Sequence, residues 1–309
     1  MKLSVGILTY NQAQYIQQCL DSVLMQVTDF DYEIVVGDDA SVDGTQEILY
    51  EYVAKYPEKF VLLLGEKNEG ISINYKKVLS ACKGKYIALC EGDDFWTDVQ
   101  KLQKQVDFLE GHDDYGFVGT YNQLLFPNGT LKNDPYDYFP EPQREGEWEL
   151  YGNVFEYAKN GPVTRTVSLC FRNELVQSYL QYVGMGNDMV LQTILAKHSN
   201  FAKHSASMCV YRQGGVSTDK MNLKKQLYYN QWYVENRLLQ KQIFPTECNY
   251  DENELKDRET YILLKNAIIH RHVFEAMQYK KQLRSAVYRQ KKYSKYLLGP
   301  LTCLLLSFK

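Results

Sequence analysis

The chain has little of what usually gives a protein's chemistry away at first reading. None of its seven cysteines (Cys19, Cys82, Cys90, Cys170, Cys209, Cys248 and Cys303) forms a C-x-x-C spacing with another, so neither a zinc site nor a dithiol redox motif is indicated. Thiols in odd number, dispersed and mostly inside apolar segments, fit a reducing cytoplasm. Positive charge is not in excess: 35 Lys and Arg face 38 Asp and Glu, and the net −3 argues against a protein built to coat nucleic acid. The N-terminus shows no charged-then-apolar leader pattern and enters a strand almost at once, which predicts a cytoplasmic protein. The turn after that strand reads T-Y-N-Q-A-Q, where a Rossmann dinucleotide site wants G-x-G-x-x-G, and no P-loop occurs.

What is present is a strongly patterned first third. Hydrophobic residues make up 45% of 309 positions, enough for a real core in one large α/β domain with an appendage, or in two domains. Twenty-six tyrosines suit sugar-stacking surfaces and an aromatic-rich interior equally. Leu3 to Leu8 reads as a strand, and Ile16, Cys19, Leu20, Val23 and Leu24 recur at helical period. Glu33 to Gly37, a helix marked by Ile48, Leu49, Tyr52 and Val53, and Phe60 to Leu64 continue the alternation. A helix over roughly Ile73 to Cys82 then leads into the apolar run Tyr86 to Cys90. Alternation at these intervals predicts an α/β fold: a mostly parallel sheet, flanked by helices, with right-handed crossovers.

Three of the predicted strands end on polar clusters: Thr9-Tyr10-Asn11, Asp38-Asp39 and Glu91-Gly92-Asp93-Asp94. In a parallel sheet these ends share one edge, where open α/β sheets bind ligands. Carboxylates at the end of a buried strand are costly unless they meet a cation or a hydrogen-bonding ligand. With no glycine-rich phosphate loop, Glu91 and Asp93 holding Mg²⁺ or Mn²⁺ are the available means of neutralising a nucleotide diphosphate. Asp39, with Thr9 beside it, is placed to accept a hydrogen bond from a base N–H. The plainer alternatives are acidic turns, Glu91–Asp94 before a helix expected from near Thr97 and Asp38–Ser41 before the second helix.

The succession T-Y-N, then D-D-A-S-V-D-G-T, then K-G-K-Y-I-A-L-C-E-G-D-D-F-W resembles the family 2 glycosyltransferases with the GT-A fold. It covers roughly residues 1 to 217 and implies a nucleotide-binding sheet whose first strand end and second Asp of the D-D pair hold the base. Matched residue by residue, Thr9, Tyr10, Asn11 and Asp39 fall on that base site, and Glu91-Gly92-Asp93 on the family's D-x-D element for ribose and metal. Glu91 stands where the family most often has Asp. Asp93 is the implied metal ligand, with Asp94 as the fallback. Lys67 to Asn74 resembles the N-x-G segment that lies over the nucleotide, which adds Asn68 and Asn74 to the nucleotide-binding set.

Further along, a helix with Leu102, Val106 and Leu109 on one face leads to a strand, Gly116 to Leu125. Residues 127 to 165 carry weak periodicity and read as an irregular acceptor-side loop. Thr166 to Phe171 reads as a buried strand. Asp188 opens the apolar helix that includes Ile194, Leu195 and Ala196, and Asp is a favoured N-cap. By resemblance an Asp before such a helix is the catalytic base, and one residue can serve as cap and base together. Val210-Tyr211-Arg212-Gln213-Gly214-Gly215 resembles a loop that approaches the diphosphate, with Gln213 where His is frequent and Arg212 as a diphosphate or acceptor contact. His198 and His204 show no ligand spacing and read as structural or surface residues.

Beyond Ser217 the chain reads helical, and Lys280 to Lys295 carries seven basic residues with no acidic one. The apolar tail from Tyr296 to Phe308 is broken by Gly299-Pro300 and is shorter than the ~20 residues of a spanning helix. Basic then apolar suits peripheral attachment to the inner face of a membrane, or docking on protein. The expectation is a GT-A domain over 1–217, with 1–98 as nucleotide half and 99–217 as acceptor half, and a helical extension over 218–309. It is expected to act as a metal-dependent inverting glycosyltransferase. A nucleotide-sugar donor, UDP-linked, would supply a glycan or lipid-linked glycan in polysaccharide or cell-envelope biosynthesis. The rival is a catalytically silent nucleotide-sugar or glycan binding subunit; a sugar nucleotidylyltransferase would need a glycine-rich, Arg-containing N-terminal loop that is missing.

Overall fold

Every residue of β1 (Leu3–Thr9) and β2 (Tyr32–Asp38) is buried, as expected for strands covered on both faces. In the computed structural model the described residues are 1–135, 141–177, 179–181, 188–213, 223–270 and 272–282. They fall into two compact units, Met1–Thr218 and Asp219–Lys309. In the first, α1 (Ala13–Leu24), α2 (Thr45–Lys55), β3 (Phe60–Leu64), α3 (Ile71–Ala81) and β4 (Tyr86–Glu91) continue the alternation read from sequence. Strands β3, β2, β1 and β4 are neighbours in that order and all parallel, with Thr9 opposite Asp38 and Leu8 opposite Glu91. Their carboxyl ends therefore finish level at one edge.

The rest of the unit extends this sheet. It comprises β5 (Phe95–Trp96), α4 (Lys101–Gly111), β6 (Tyr115–Leu125), β7 (Leu131–Asn133), β8 (Gln143–Glu145), β9 (Trp148–Gly152) and α5 (Phe155–Ala158). A 3₁₀ turn (Thr166–Ser168), β10 (Cys170–Arg172), α6 (Glu174–Gln177), α7 (Asp188–His198) and β11 (Asn200–Arg212) follow. Strand β10 runs antiparallel between β4 and β6, while β11 lies parallel to β6, so β11 points the same way as β4. The architecture is a mostly parallel mixed sheet with helices on its faces, of GT-A type. Trp96, Tyr75, Tyr86, Phe117, Phe171 and Phe201 are its largest fully buried aromatic side chains, and the Trp96 indole N–H donates to the Val167 carbonyl at 2.8 Å.

Three expectations are corrected. Residues 127 to 165 are not an irregular loop: they hold β7, β8, β9 and α5, and β9 pairs antiparallel with β11. Both β7 and β8 are three exposed residues long, too short and too solvated to show an alternating pattern. The strand expected over Thr166–Phe171 is a 3₁₀ turn followed by the short β10. There the Ser168 hydroxyl donates to the Arg165 carbonyl at 2.9 Å, the local side-chain bonding that competes with a ladder. The helix expected near Thr97 begins at Lys101.

The second unit contains α8 (Leu223–Ile243), α9 (Glu252–Ile269) and α10 (Val273–Gln282). Leu264, Ala267 and Ala276 form a small core, and the Arg258 guanidinium lies 3.6 Å from the Tyr233 ring centroid. No helix among the described residues is long and apolar enough to cross a membrane. Most of the basic and apolar C-terminal segment lies outside the described residues.

Candidate active site

One edge of the sheet collects the chemistry. Thr9, Asp38, Glu91 and Arg212 are the last residues of β1, β2, β4 and β11, which all run the same way. Asp188 opens α7, the helix that precedes β11, so it arrives at this same edge. The remaining acidic residues follow Glu91 directly, with Gly92 between them. A Cβ there would lie 2.5 Å from Gln12 Oε1 and 3.0 Å from Thr9 Cβ, so glycine lets this loop press against the end of β1 without displacing the Gln12 side chain.

The β1 and β2 ends are stapled together. Asn11 has φ +51° and Ala40 φ +62°, left-handed conformations that non-glycine residues rarely adopt. Asn11 N–H donates to Ser41 Oγ at 2.8 Å and its side-chain oxygen accepts from Val42 N–H at 2.9 Å. Asp38 accepts from Ser41 N–H and Oγ and from Gln46 Nε2. The Asp39 oxygens accept from the amides of Glu69 and Gly70, each at 2.8 Å, so Asp39 pins the segment that opens α3. Asn74 is buried and donates its amide to the Gly37 carbonyl at 2.8 Å, which places it against the sheet. Asn68 and Tyr10 are exposed. The structure thus brings Thr9, Glu91, Asp93, Asp94, Asp188 and Arg212 to one edge with Asp39, while Asn11 and Asn74 spend their side chains on the backbone.

The carboxylates of the acidic loop are held in a poorly solvated place. Burial, then the charges of Asp93 and Asp188, push the Glu91 carboxyl up to about 8, with Arg165 opposing. Asp93 is raised by burial and partly restored by its own backbone amide, the Arg212 charge and a hydrogen bond with Gln12. Asp94, 2% exposed, is raised well above the usual range by burial and by Asp93 and Glu91. One of its oxygens accepts from Arg212 N–H at 2.8 Å, and the other is buried with no partner. Burial also raises Asp188, while Met189 N–H and the Arg165 charge favour its ionised form. That Glu91 feels both Asp93 and Asp188 puts the acidic loop and the start of α7 in one electrostatic environment.

Arg212 clasps the loop. Its Nε donates to the Asp93 carbonyl and its Nη2 to Gln18 Oε1, each at 2.8 Å, and its guanidinium stacks 4.5 Å from the Tyr15 ring centroid. It is a fastening for Glu91–Asp94 as well as a cation beside it. Sequence reading missed Arg165, which makes a two-point ion pair with buried Asp134 at 2.7 and 3.3 Å and lies 4.7 Å from the Tyr211 ring. It also missed Gln12, one residue past the flagged T-Y-N, and Tyr75, one past Asn74; adjacency to those motifs was the available signal. Gln192 was equally unmarked: its oxygen accepts from Val163 and Thr164 N–H, and its nitrogen donates to the Thr164 carbonyl.

The donor set suits a divalent cation. Hard carboxylate oxygens in a crowded acidic loop, one of them buried without a partner, are what Mg²⁺ or Mn²⁺ would satisfy. Among the described residues no three His, Cys, Asp or Glu side chains form a complete metal cage. The remaining ligands would then come from a bound phosphate and water, the usual arrangement for Mg²⁺.

The chain resembles known proteins in sequence and in fold. Glycosyl transferase family 2 matches residues 4–159, just over half the chain. Hyaluronan synthase of Pasteurella multocida is 30% identical over 271 residues, 86% of this chain and 26% of that protein. The chain spans only about a quarter to a half of the length of the curated relatives it matches. Its fold is similar to that of S. aureus TarS 1-349 in complex with UDP-GlcNAc, with TM-score 0.58, 16% identity, and coverage of 92% of this chain and 82% of that one. It is also similar to the mannosyltransferase PcManGT from Pyrobaculum calidifontis in complex with GDP-Man and Mn²⁺, with TM-score 0.54, 16% identity, and coverage of 99% and 80%. The sheet, its acidic edge and the sequence match lead to one assignment: the chain belongs to glycosyl transferase family 2.

Proposed function

We propose that the chain is an inverting, metal-dependent glycosyltransferase that moves a hexosyl or N-acetylhexosaminyl group from a UDP-linked donor to a hydroxyl of a glycan or lipid-linked glycan. Residues 1–217 would form the catalytic domain, 1–98 holding the nucleotide and 99–217 the acceptor, with 218–309 as a helical extension that contacts the membrane surface peripherally on the cytoplasmic side. Thr9 and Asp39 would receive the base, with Tyr10 beside them, and Glu91 the ribose. Asp93 and Asp94 would hold the divalent cation, which when bound supplies charge neutralisation of the departing diphosphate.

Asp188 takes the proton from the acceptor hydroxyl as its oxygen attacks the anomeric carbon, and the bond from that carbon to the diphosphate oxygen breaks with its electron pair leaving on oxygen. Desolvation strengthens Asp188 as a base, while Arg165 and Met189 N–H keep it ionised to receive the proton. One base and a single displacement invert the anomeric centre. The observation that carries this reading is that Asp188, at the start of the helix leading into β11, lies at the same carboxyl edge of the sheet as Glu91 and Asp93.

The test is release of nucleoside diphosphate from UDP-, GDP- and TDP-sugars with Mn²⁺ or Mg²⁺ and cell-envelope lipid extract as acceptor. Wild type, Asp93→Ala and Asp188→Asn are compared. Turnover should be abolished in both variants, with donor binding surviving in Asp188→Asn. Donor binding without turnover on any acceptor in the wild type would favour the silent binding subunit instead.

A further inference from the structure

Tyr75 carries a hydroxyl that has no partner in the folded protein. It sits on α3, 1% exposed, and its OH is buried without any hydrogen bond. Phenylalanine would fill the same space without the cost of an unsatisfied hydroxyl, so the oxygen calls for a ligand. The helix around it is fixed. Asn74 is bonded to the Gly37 carbonyl, and Val78 fills the space where a Cβ on Gly37 or Gly6 would go. The Tyr75 hydroxyl lies within electrostatic reach of Glu91 and Asp188, and burial followed by those two charges raises its pKa well above the usual value. It is a neutral O–H donor within the electrostatic influence of two carboxyl groups.

Other atoms share its condition. Thr9 Oγ1, Gln12 Oε1 and Asp94 Oδ2 are likewise buried and unpartnered, and all belong to the β1 and β4 ends that form the acidic edge. Unsatisfied polar atoms scattered through a core would be defects. Asn122 Oδ1 on β6 is in the same condition, but Thr9, Gln12 and Asp94 gather at one sheet edge, where such atoms form the complement of a polar ligand.

We propose that Tyr75 is a specificity-determining residue whose hydroxyl donates a hydrogen bond to a ring hydroxyl of the transferred sugar. The inference rests on the reading of Asp188 as the base. A base at Asp188 faces the anomeric carbon, so a group within its reach faces the transferred sugar, while Glu91, whose charge the hydroxyl also feels, would meet the ribose; affinity for the nucleoside diphosphate alone separates the two. Sugar hydroxyls both accept and donate, so one ring hydroxyl accepts from the Tyr75 O–H while its own O–H donates a hydrogen bond to a neighbouring carboxylate. An anionic group there would meet the Asp188 charge with only a neutral donor in return.

The test is Tyr75→Phe, titrated calorimetrically with UDP, UDP-GlcNAc and UDP-glucose, and with GDP and GDP-mannose in parallel, beside thermal unfolding. The expected result is a loss of about three- to tenfold in affinity for whichever nucleotide sugar the wild type binds, the effect of one neutral hydrogen bond. Affinity for the parent nucleoside diphosphate stays the same, and the Tm holds or rises because the deleted hydroxyl had no partner. Unchanged sugar-nucleotide affinity, or an equal loss for the diphosphate alone, overturns the role of Tyr75 and leaves the glycosyltransferase reading standing. A Tm lowered by several degrees overturns the premise that the hydroxyl is unpartnered. If the wild type binds no nucleotide at all, the functional reading fails and this inference with it.

Discussion

Replacing Gln192 by alanine should damage both the fold and the pH response of the candidate base, and the size of each effect follows from three hydrogen bonds. Gln192 is fully buried on α7, four residues after Asp188. Its side chain bonds Val163 N–H at 2.8 Å, Thr164 N–H at 3.0 Å and the Thr164 carbonyl at 3.0 Å. At a net ~1 kcal/mol each, their loss costs about 3 kcal/mol, against a total domain stability of roughly 5–15 kcal/mol. For a unit of this size each kcal/mol moves the Tm by about 2–4 °C, so Gln192→Ala should unfold about 6–12 °C below wild type and remain folded at 25 °C. The bonded segment runs directly into Arg165, whose charge favours ionised Asp188. Loosening it weakens that charge at Asp188, so the folded-state pKa of Asp188 rises and the acid limb of the transfer rate moves to higher pH. Differential scanning fluorimetry and a pH–rate profile from pH 5 to 8 read the two effects. A variant that unfolds within about 2 °C of wild type and keeps the same acid limb would refute the clamp.

Two further predictions concern charges at other distances from the site. Lysine at position 212 cannot reproduce the two directed bonds and the stacking on Tyr15. Arg212→Lys should therefore raise the Mn²⁺ concentration for half-maximal turnover several-fold, and an unchanged metal requirement would show that Arg212 does not position the acidic loop. Glu110, held down to about 2 by Lys2, Lys85 and Tyr86, is a depressed carboxylate. Its contribution is present above the unfolded pKa near 4.5 and is lost as pH falls toward 2. Because its side chain is 37% exposed, solvent screening reduces that contribution to about 1 kcal/mol or less. Urea midpoints of wild type and Glu110→Gln should differ at pH 7 and converge as pH falls from 4.5 toward 2; a gap that widens on acidification contradicts the assignment.

What could be read from the sequence was what short-range pattern records. Strands β1, β2 and β4 are apolar runs of six or seven residues that stop at a polar cluster, and their spacing by amphipathic helices fixes a parallel sheet. Once the sheet is parallel, Thr9, Asp38 and Glu91 must meet at one edge. The contacts that decide individual roles span the chain instead. Asp39 reaches the amides of Glu69 and Gly70, Asn74 reaches Gly37, Arg165 reaches Asp134, and Gln192 reaches Val163, all about thirty residues away. No periodicity encodes such pairs. Lys101 runs against the usual rule for charge: it is fully buried, bonded to Gln105 at 2.7 Å and placed 4.2 Å from the Trp96 ring.

Six acidic residues stand at this edge, and the accounting of hydrogen bonds divides them. Asp38 and Asp39 are buried, yet five donors from Ser41, Gln46, Glu69 and Gly70 meet them. They serve the backbone of the two turns, and any contact from Asp39 to a base uses a lone pair left over from that work. Glu91, Asp93, Asp94 and Asp188 are in the opposite condition: burial raises all four, and Asp94 keeps an oxygen with nothing to bond. A fold selected for stability alone would replace such groups with apolar ones or supply donors, because an unpaired buried carboxylate is among the costliest features a core can hold. Here one pair is met by five donors, while the other four have few: Arg212 N–H at Asp94, Met189 N–H at Asp188, and a backbone amide and Gln12 at Asp93. Residue type is the same on both sides of that division, so type cannot explain it. A ligand that brings cationic charge and hydroxyl groups to the second set, and needs neither at the first, would explain it.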